Sequence, residues 1–89
     1  MSVITAFVLI NAEPRRVAAL GPEISELKSV HEVHSVAGSG VALVATLRVQ
    51  NHEDIATAVT EDISGIEGVL DTQTLIAFRS YSNEEQELW

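Results

Sequence analysis

Apolar residues occur along the chain in four long runs, and the segments between these runs are more polar. The first run, from Val3 to Asn11, is almost continuous and is rich in Val and Ile, which favours a β-strand. Similar runs predict strands over residues 30–37, 41–50 and 69–78. Gly38-Ser39-Gly40 is a short turn signal, so the second and third strands should form an antiparallel hairpin.

A first helix is predicted between the first two strands. Pro14 suits its first position, where no backbone donor is needed. Apolar side chains then recur at helical spacing; they are Val17, Leu20, Ile24 and Leu27. Gly21-Pro22 interrupts the helix, but the apolar stripe keeps its phase, so we expect one kinked helix rather than two separate pieces.

A second helix is predicted between the third and fourth strands. Asn51 is a favourable N-cap residue, and Asp54 completes a weak capping box. Gly65 or Gly68 would end this helix. Its apolar stripe comprises Ile55, Val59 and Ile63, together with Ala56.

The element order is therefore strand, helix, strand, strand, helix, strand, and the two halves resemble each other. Leu27 and Ile63 are expected to take equivalent places at the helix ends, and Val30 is then equivalent to Ile66. This duplicated pattern predicts an α+β, ferredoxin-like βαββαβ fold. Both helices should lie on one face of a four-stranded antiparallel sheet.

The first and third strands, expected at the centre of this sheet, are apolar on both faces. In the first strand one face would carry Ile4, Ala6, Val8 and Ile10, and the other Val3, Thr5, Phe7 and Leu9. Because the helices cover only one face, the other would expose an apolar patch that soluble monomers usually avoid. We therefore expect two copies to pack sheet to sheet as a dimeric α/β sandwich, or edge to edge with mutual cover. The alternative is an adhesive monomer.

Composition and charge narrow the range of functions. The 89 residues allow one domain, expected over residues 1–80 and followed by an acidic tail over residues 81–89. A domain this small is marginally stable alone and has no cysteine to form disulfides, so self-association should stabilise it. The formal net charge of −8 disfavours nucleic acid and anionic membranes as partners. The opening apolar run is too short to span a bilayer and follows no basic segment, so we expect a cytoplasmic protein.

Residues that carry recognisable chemistry are few. The backbone amides of Gly38-Ser39-Gly40 suit a ligand carboxylate, although an ordinary hairpin turn explains them as well. His31 and His34 are three apart on one strand and point to opposite faces, so we expect no metal and no cofactor; His34 could line a cleft between subunits. Thr72 and Thr74 share a face of the fourth strand, where they either contact a ligand or simply suit a half-buried strand.

Two segments of the chain resemble the effector-binding (RAM) domain of Lrp/AsnC-type regulators. Residues 33–44 resemble its strand–turn–strand region, and residues 71–77 resemble its last strand, where a Thr-x-Thr precedes aliphatic residues. The opening run fits as well, and the resemblance extends from residue 2 to about residue 80. Val41 takes the place of an aspartate in the family pattern, which removes a charged anchor for a polar ligand.

The resemblance implies a homodimer formed by sheet packing, assembled further to a higher oligomer such as an octamer. It also implies a small effector of the amino-acid type, bound between subunits near the hairpin turn. The implied ligand-binding residues are Gly38, Ser39, Gly40, Val41, His34, Thr72 and Thr74. The first strand begins almost at Met1, so we expect a stand-alone sensing module without the family's DNA-binding helix-turn-helix, and no enzymatic activity.

Two alternatives and one question about the tail remain open. A small cofactor-free enzyme on the same fold would depend on His34, for which the sequence suggests no partner. An adaptor would co-assemble with full-length regulators through the same sheet. The acidic tail is either solvated or anchored on a neighbouring subunit by Leu88 and Trp89.

Overall fold

A computed structural model describes residues 3–82, and the suggested anchors Leu88 and Trp89 lie outside these described residues. A short 3₁₀ turn (Pro14–Arg16) leads into the first helix, and the second helix continues as a π-helical stretch (Ala58–Ile63). The elements are β1 (Ile4–Ala12), α1 (Val17–Ser25), β2 (Val30–Gly38), β3 (Val41–Val49), α2 (His52–Thr57) and β4 (Val69–Ile76).

The four strands form one antiparallel sheet in the order β2-β3-β1-β4, which confirms that β1 and β3 are central. Both helices contribute to the single core on one face of this sheet. The fold is therefore the predicted ferredoxin-like βαββαβ arrangement. The helix residues buried in the core are Leu20, Ile24, Ile55, Ala58 and Ile63.

Alternation along β1 and β3 decides which face of the sheet is buried. Ala6, Val8 and Ile10 are fully buried under the helices, whereas their neighbours Phe7 and Leu9 retain solvent access. Successive side chains of a strand point to opposite faces, so the odd-numbered residues of β1 lie on the face without helices. The predicted division of β1 into two apolar faces is confirmed.

Local sequence signals explain most of the helix ends. Pro22 lies inside α1 and does not divide it, which agrees with the prediction of one helix. The Asn51 side chain accepts a 3.0 Å hydrogen bond from the backbone N–H of Asp54, which confirms Asn51 as the N-cap. The predicted stripe of the second helix was wrong at one position, since Ala56 is exposed and Ala58 is buried instead.

The internal duplication is present, but its register differs from the prediction. Leu27 N–H donates to Ile24 O, and Ile66 N–H makes the equivalent bond to Ile63 O, both at 3.1 Å. Leu27 therefore corresponds to Ile66 rather than to Ile63. The next bonds agree: Val30 N–H donates to Leu27 O, and Val69 N–H donates to Ile66 O.

The two edge strands begin with the same irregularity. The pairing of β2 with β3 shifts between Val30 and Glu32, and the pairing of β4 with β1 shifts between Val69 and Asp71. Each shift leaves one extra residue on the edge strand, as in a β-bulge. Because these bulges follow equivalent valines, the duplication extends from the helix ends into the strands.

Arg16 joins the start of α1 to the start of β4. Its Nη2 lies 2.8 Å from Glu23 Oε1, and its Nε donates to the backbone oxygen of Glu67 at 3.1 Å. Its aliphatic stem covers Gly68, where a Cβ would lie 2.8 Å from Arg16 Cγ. Gly68 also has φ +102°, so both space and backbone conformation require glycine there.

Candidate functional site

The β2–β3 turn is exposed and lies at one end of the sheet. Gly38 pairs with Val41, so Ser39 and Gly40 form the tip. The backbone conformation requires glycine at only one of the two glycine positions of this turn. The positive φ, 75°, belongs to Gly40, whereas a Cβ at Gly38 would meet its nearest atom only at 4.0 Å.

His34 lies on the sheet face opposite the helices. It pairs with Val44 across the β2–β3 ladder, and Glu32 pairs with Thr46. His34 Nε2 lies 3.1 Å from Glu32 Oε2, and both side chains are more than half exposed. The expectation that His34 lacks a partner was therefore wrong.

Glu32 was missed because it looked like an ordinary surface residue. Residues two apart on a strand share a face, and this spacing beside His34 was a signal that could have found it. The hydrogen bond from His34 and the charge of His34 lower the pKa of the Glu32 carboxyl, with a smaller effect from the charge of His31. The pair is thus a polar group at the edge of the open face.

Thr72 and Thr74 lie far from the turn and on the other face. Thr72 pairs with Ile10 and Thr74 pairs with Val8, and both partners are buried under the helices. Because directly opposite residues of a ladder share a face, both threonines point to the helix side, where they are half-buried. Strands β2 and β4 are opposite edges, about 14 Å apart at the usual strand spacing. A single chain therefore does not bring these threonines together with His34.

The sheet face without helices, here called the open face, has an apolar centre and a polar border. The ladders align Gln73, Leu9, Val44 and His34 in one row and Leu75, Phe7, Thr46 and Glu32 in the next. Phe7 and Leu75 remain 38% and 46% exposed. The charged or strongly polar members of both rows lie on the edge strands, and the apolar ones concentrate on the central strands.

Several kinds of site are missing from the described part of the chain. Residues 3–82 of one copy enclose no pocket. Within the same range, no three His, Asp or Glu side chains gather in a way that could hold a metal ion. None of the helices described is long and apolar enough to cross a membrane.

Comparison with known proteins identifies a family. Residues 5–87 match the sequence profile of the Lrp/AsnC ligand binding domain. An uncharacterized HTH-type transcriptional regulator of Pyrococcus furiosus is 34% identical over 83 residues, covering 90% of this chain. The match spans 55% of that regulator, so this chain covers about half the length of the curated relatives it matches.

Solved structures show the same fold. The protein TTHA0845 from Thermus thermophilus superposes with a TM-score of 0.83 at 49% identity, over 90% of this chain and 99% of that one. The regulator NMB0573 from Neisseria meningitidis, solved as a complex with L-Met, superposes with a TM-score of 0.75 at 13% identity, over 90% of this chain and 53% of that one. The profile match covers nearly the whole chain and the fold agrees with it: this protein belongs to the Lrp/AsnC ligand-binding domain family.

Proposed function

We propose that this protein is a homodimeric effector-binding module in which two copies pack through their open faces. The observation that carries the proposal is the arrangement of that face, with Phe7, Leu9 and Val44 at its centre, Leu75 beside Phe7 on β4, and charged side chains at the β2 border. Stable protein interfaces share this arrangement of a dry apolar centre and a polar rim. A two-fold dimer places the same patch against itself, which is what one self-complementary apolar face allows.

The charged residues of the open face lie where they are compatible with sheet-to-sheet packing. Glu32 and His34 lie on β2, which is an edge strand, so they can stay hydrated when the centre is covered. Arg48 is exposed at one end of β3. Burial of the apolar centre therefore leaves no charged side chain of the described open face without water. The free-energy cost of desolvating a charge is avoided.

The effector is proposed to be a small molecule of the amino-acid type, bound between copies near Gly38-Ser39-Gly40 and Val41. Two observations support this: no pocket exists within residues 3–82 of one copy, and the regulator NMB0573, which has the same fold, was solved as a complex with L-Met. The exposed turn presents backbone amides that suit a carboxylate. Since Val41 provides no charge, His34 and the turn backbone would supply the polar contacts from one copy.

The two threonines would join the site only from another copy. Thr72 and Thr74 lie at the opposite edge of the sheet and on its helix side, so the turn of one dimer would meet them in a neighbouring dimer. A closed ring such as an octamer is one assembly with this property. The module would then act in the cytoplasm, coupling effector binding to the assembly of transcriptional regulators.

Catalysis is not favoured by the geometry. His34 is the one acid–base candidate that the sequence suggested, and the structure pairs it with Glu32, but both side chains are more than half exposed. An enzyme site requires a cleft that excludes water and perturbs the reacting groups, and the described residues form no such cleft around the pair. Binding is the function that an exposed pair beside an apolar face supports best.

Native mass spectrometry with a pool of amino acids tests the proposal. We expect a dimer, or a multiple of it, that carries a reproducible extra mass. His34→Gln should lose that mass, whereas His52→Gln, the same change at an exposed position on α2, should keep it. A monomer would contradict the assembly. An oligomer that binds no compound from any amino-acid pool would contradict the proposed effector binding but not the proposed dimer.

A further inference from the structure

Among residues 3–82, no aromatic side chain belongs to the core. The chain contains two Phe, one Tyr and one Trp, and the thirteen buried core residues are all aliphatic. Phe7 lies on the open face, Phe78 and Tyr81 follow β4, and Trp89 ends the chain. Aromatic side chains are the usual anchors of protein interfaces because they bury a large area at low entropic cost.

The residues after β4 leave the sheet beside Thr5 of β1. Ala77 N–H donates a 2.9 Å hydrogen bond to Thr5 O, which extends the β1–β4 ladder by one residue. Beyond it, Phe78 is 97% exposed and Tyr81 is 86% exposed. Residues 3–82 of one copy therefore do not cover either ring.

We propose that the C-terminal segment, residues 77–89, docks on a second copy of the chain and buries Phe78 and Tyr81 there. The docking surface is the end of the open face that carries Thr5 and Arg48, which pair across the β1–β3 ladder. This inference rests on the sheet-packed dimer proposed above. It adds a second contact to the dimer, in which the C-terminal segment of each copy packs against the other copy.

The length and charge of the C-terminal segment suit docking on a second copy. Thirteen residues span about 43 Å when extended, enough to cross a copy whose longest dimension is 41 Å. The segment contains Glu84, Glu85 and Glu87. Arg48 is exposed at the docking surface and forms no ion pair with any residue in the range 3–82, so the acidic segment of a second copy complements it.

A single tryptophan makes the docking measurable. In the double variant Trp89→Phe, Phe78→Trp, the one indole reports on position 78, and the 97% exposure of Phe78 means that the change does not disturb the fold. Emission would be recorded across a dilution series, with sedimentation equilibrium on the same samples. We expect a blue-shifted emission in the dimer that moves to the value of an exposed indole as the dimer dissociates.

Each other outcome overturns the inference in a distinct way. Exposed emission in an intact dimer would show that the segment is free, although the sheet contact stands. Shielded emission that survives dissociation would show that the segment packs on its own chain. A protein that is monomeric throughout would remove the sheet-packed dimer and this inference together.

A substitution pair gives a second measurement. Phe78→Ala should raise the dimer dissociation constant by about tenfold or more, as truncation of an interface aromatic commonly does. Leu70→Ala is the matched control, because Leu70 is 58% exposed at the other end of β4. It should leave the constant unchanged, and equal effects of both changes would contradict the docking.

Discussion

Phe7 lies directly opposite Leu75 across the β1–β4 ladder, and both side chains project from the face that the helices leave open. Neither is buried in the single chain, although Val8 and Ala6, which flank Phe7 in the sequence, are fully buried on the other face. Cross-strand apolar pairs stabilise a sheet most when solvent is excluded from them. The Phe7–Leu75 pair would therefore be stabilised if the proposed second copy covered the open face.

The Glu32–His34 pair makes a prediction about pH. The hydrogen bond and charge of His34 lower the Glu32 pKa. While His34 is protonated, the exposed ion pair therefore adds a small, solvent-screened stabilisation above the ordinary carboxyl pKa, and this is lost as the pH falls through the lowered value. His34→Gln should return the Glu32 pKa toward its ordinary value, as measured by NMR titration of the carboxyl carbon. His31→Gln should raise it less, because the charge of His31 is the weakest cause. Equal shifts in the two variants would contradict the geometry of the pair.

The surroundings of Gly68 predict that alanine is tolerated less well at position 68 than at position 38. Gly68→Ala should destabilise the protein by about 1–3 kcal/mol, because φ is positive there and the new Cβ would collide with the Arg16 side chain. Gly38→Ala should change stability by only about 0.5 kcal/mol, since its φ is not positive and the space is open. Urea unfolding at one fixed protein concentration measures both. A Gly68→Ala variant as stable as Gly38→Ala would refute the role of Arg16 as the cover of this turn.

A substitution at Val41 is expected to raise the affinity for an amino-acid ligand. The resemblance drawn from the sequence sets Val41 against an aspartate of the family pattern, and on that basis Val41→Asp should add a charged acceptor for the ammonium group of an amino acid. Hydrogen bonds to charged groups contribute about 1.5–3 kcal/mol, which corresponds to an affinity gain of about tenfold or more. Isothermal titration with the amino acid selected from the pool would measure it. Ser39→Asp adds the same charge at the exposed tip and should give no gain; a gain there too would indicate unspecific attraction.

The order of elements could be predicted because hydrophobic periodicity and turn residues carry it. The continuous apolar runs of β1 and β3 placed both strands at the centre of the sheet, and Asn51 marked the start of α2. The two faces of β1 followed from simple alternation. The open face, which is the basis of the proposed dimer, was therefore visible in the sequence before the structure.

The remaining details depend on interactions that a linear pattern does not show. The bulges after Val30 and Val69 change the pairing without changing the apolar pattern, so the register of the duplication was misjudged. Gly38 and Gly40 are indistinguishable by composition, and only the geometry of the tip assigns the positive φ to Gly40. Thr72 and Thr74 joined the candidate site by resemblance, and strand order places them at the other edge of the sheet.

Sedimentation equilibrium of two neighbouring charge variants tests the central claim most directly. Leu75 and Ile76 are similarly exposed, 46% and 43%, but Ile76 pairs with buried Ala6 and so lies on the helix side. Leu75→Glu would bury a repelling carboxylate in each copy and should dissociate the dimer, with a dissociation constant raised about a hundredfold or more. Ile76→Glu should remain dimeric like the unmodified chain. A Leu75→Glu variant that stays dimeric, or an unmodified chain that is monomeric, would contradict packing through the open face.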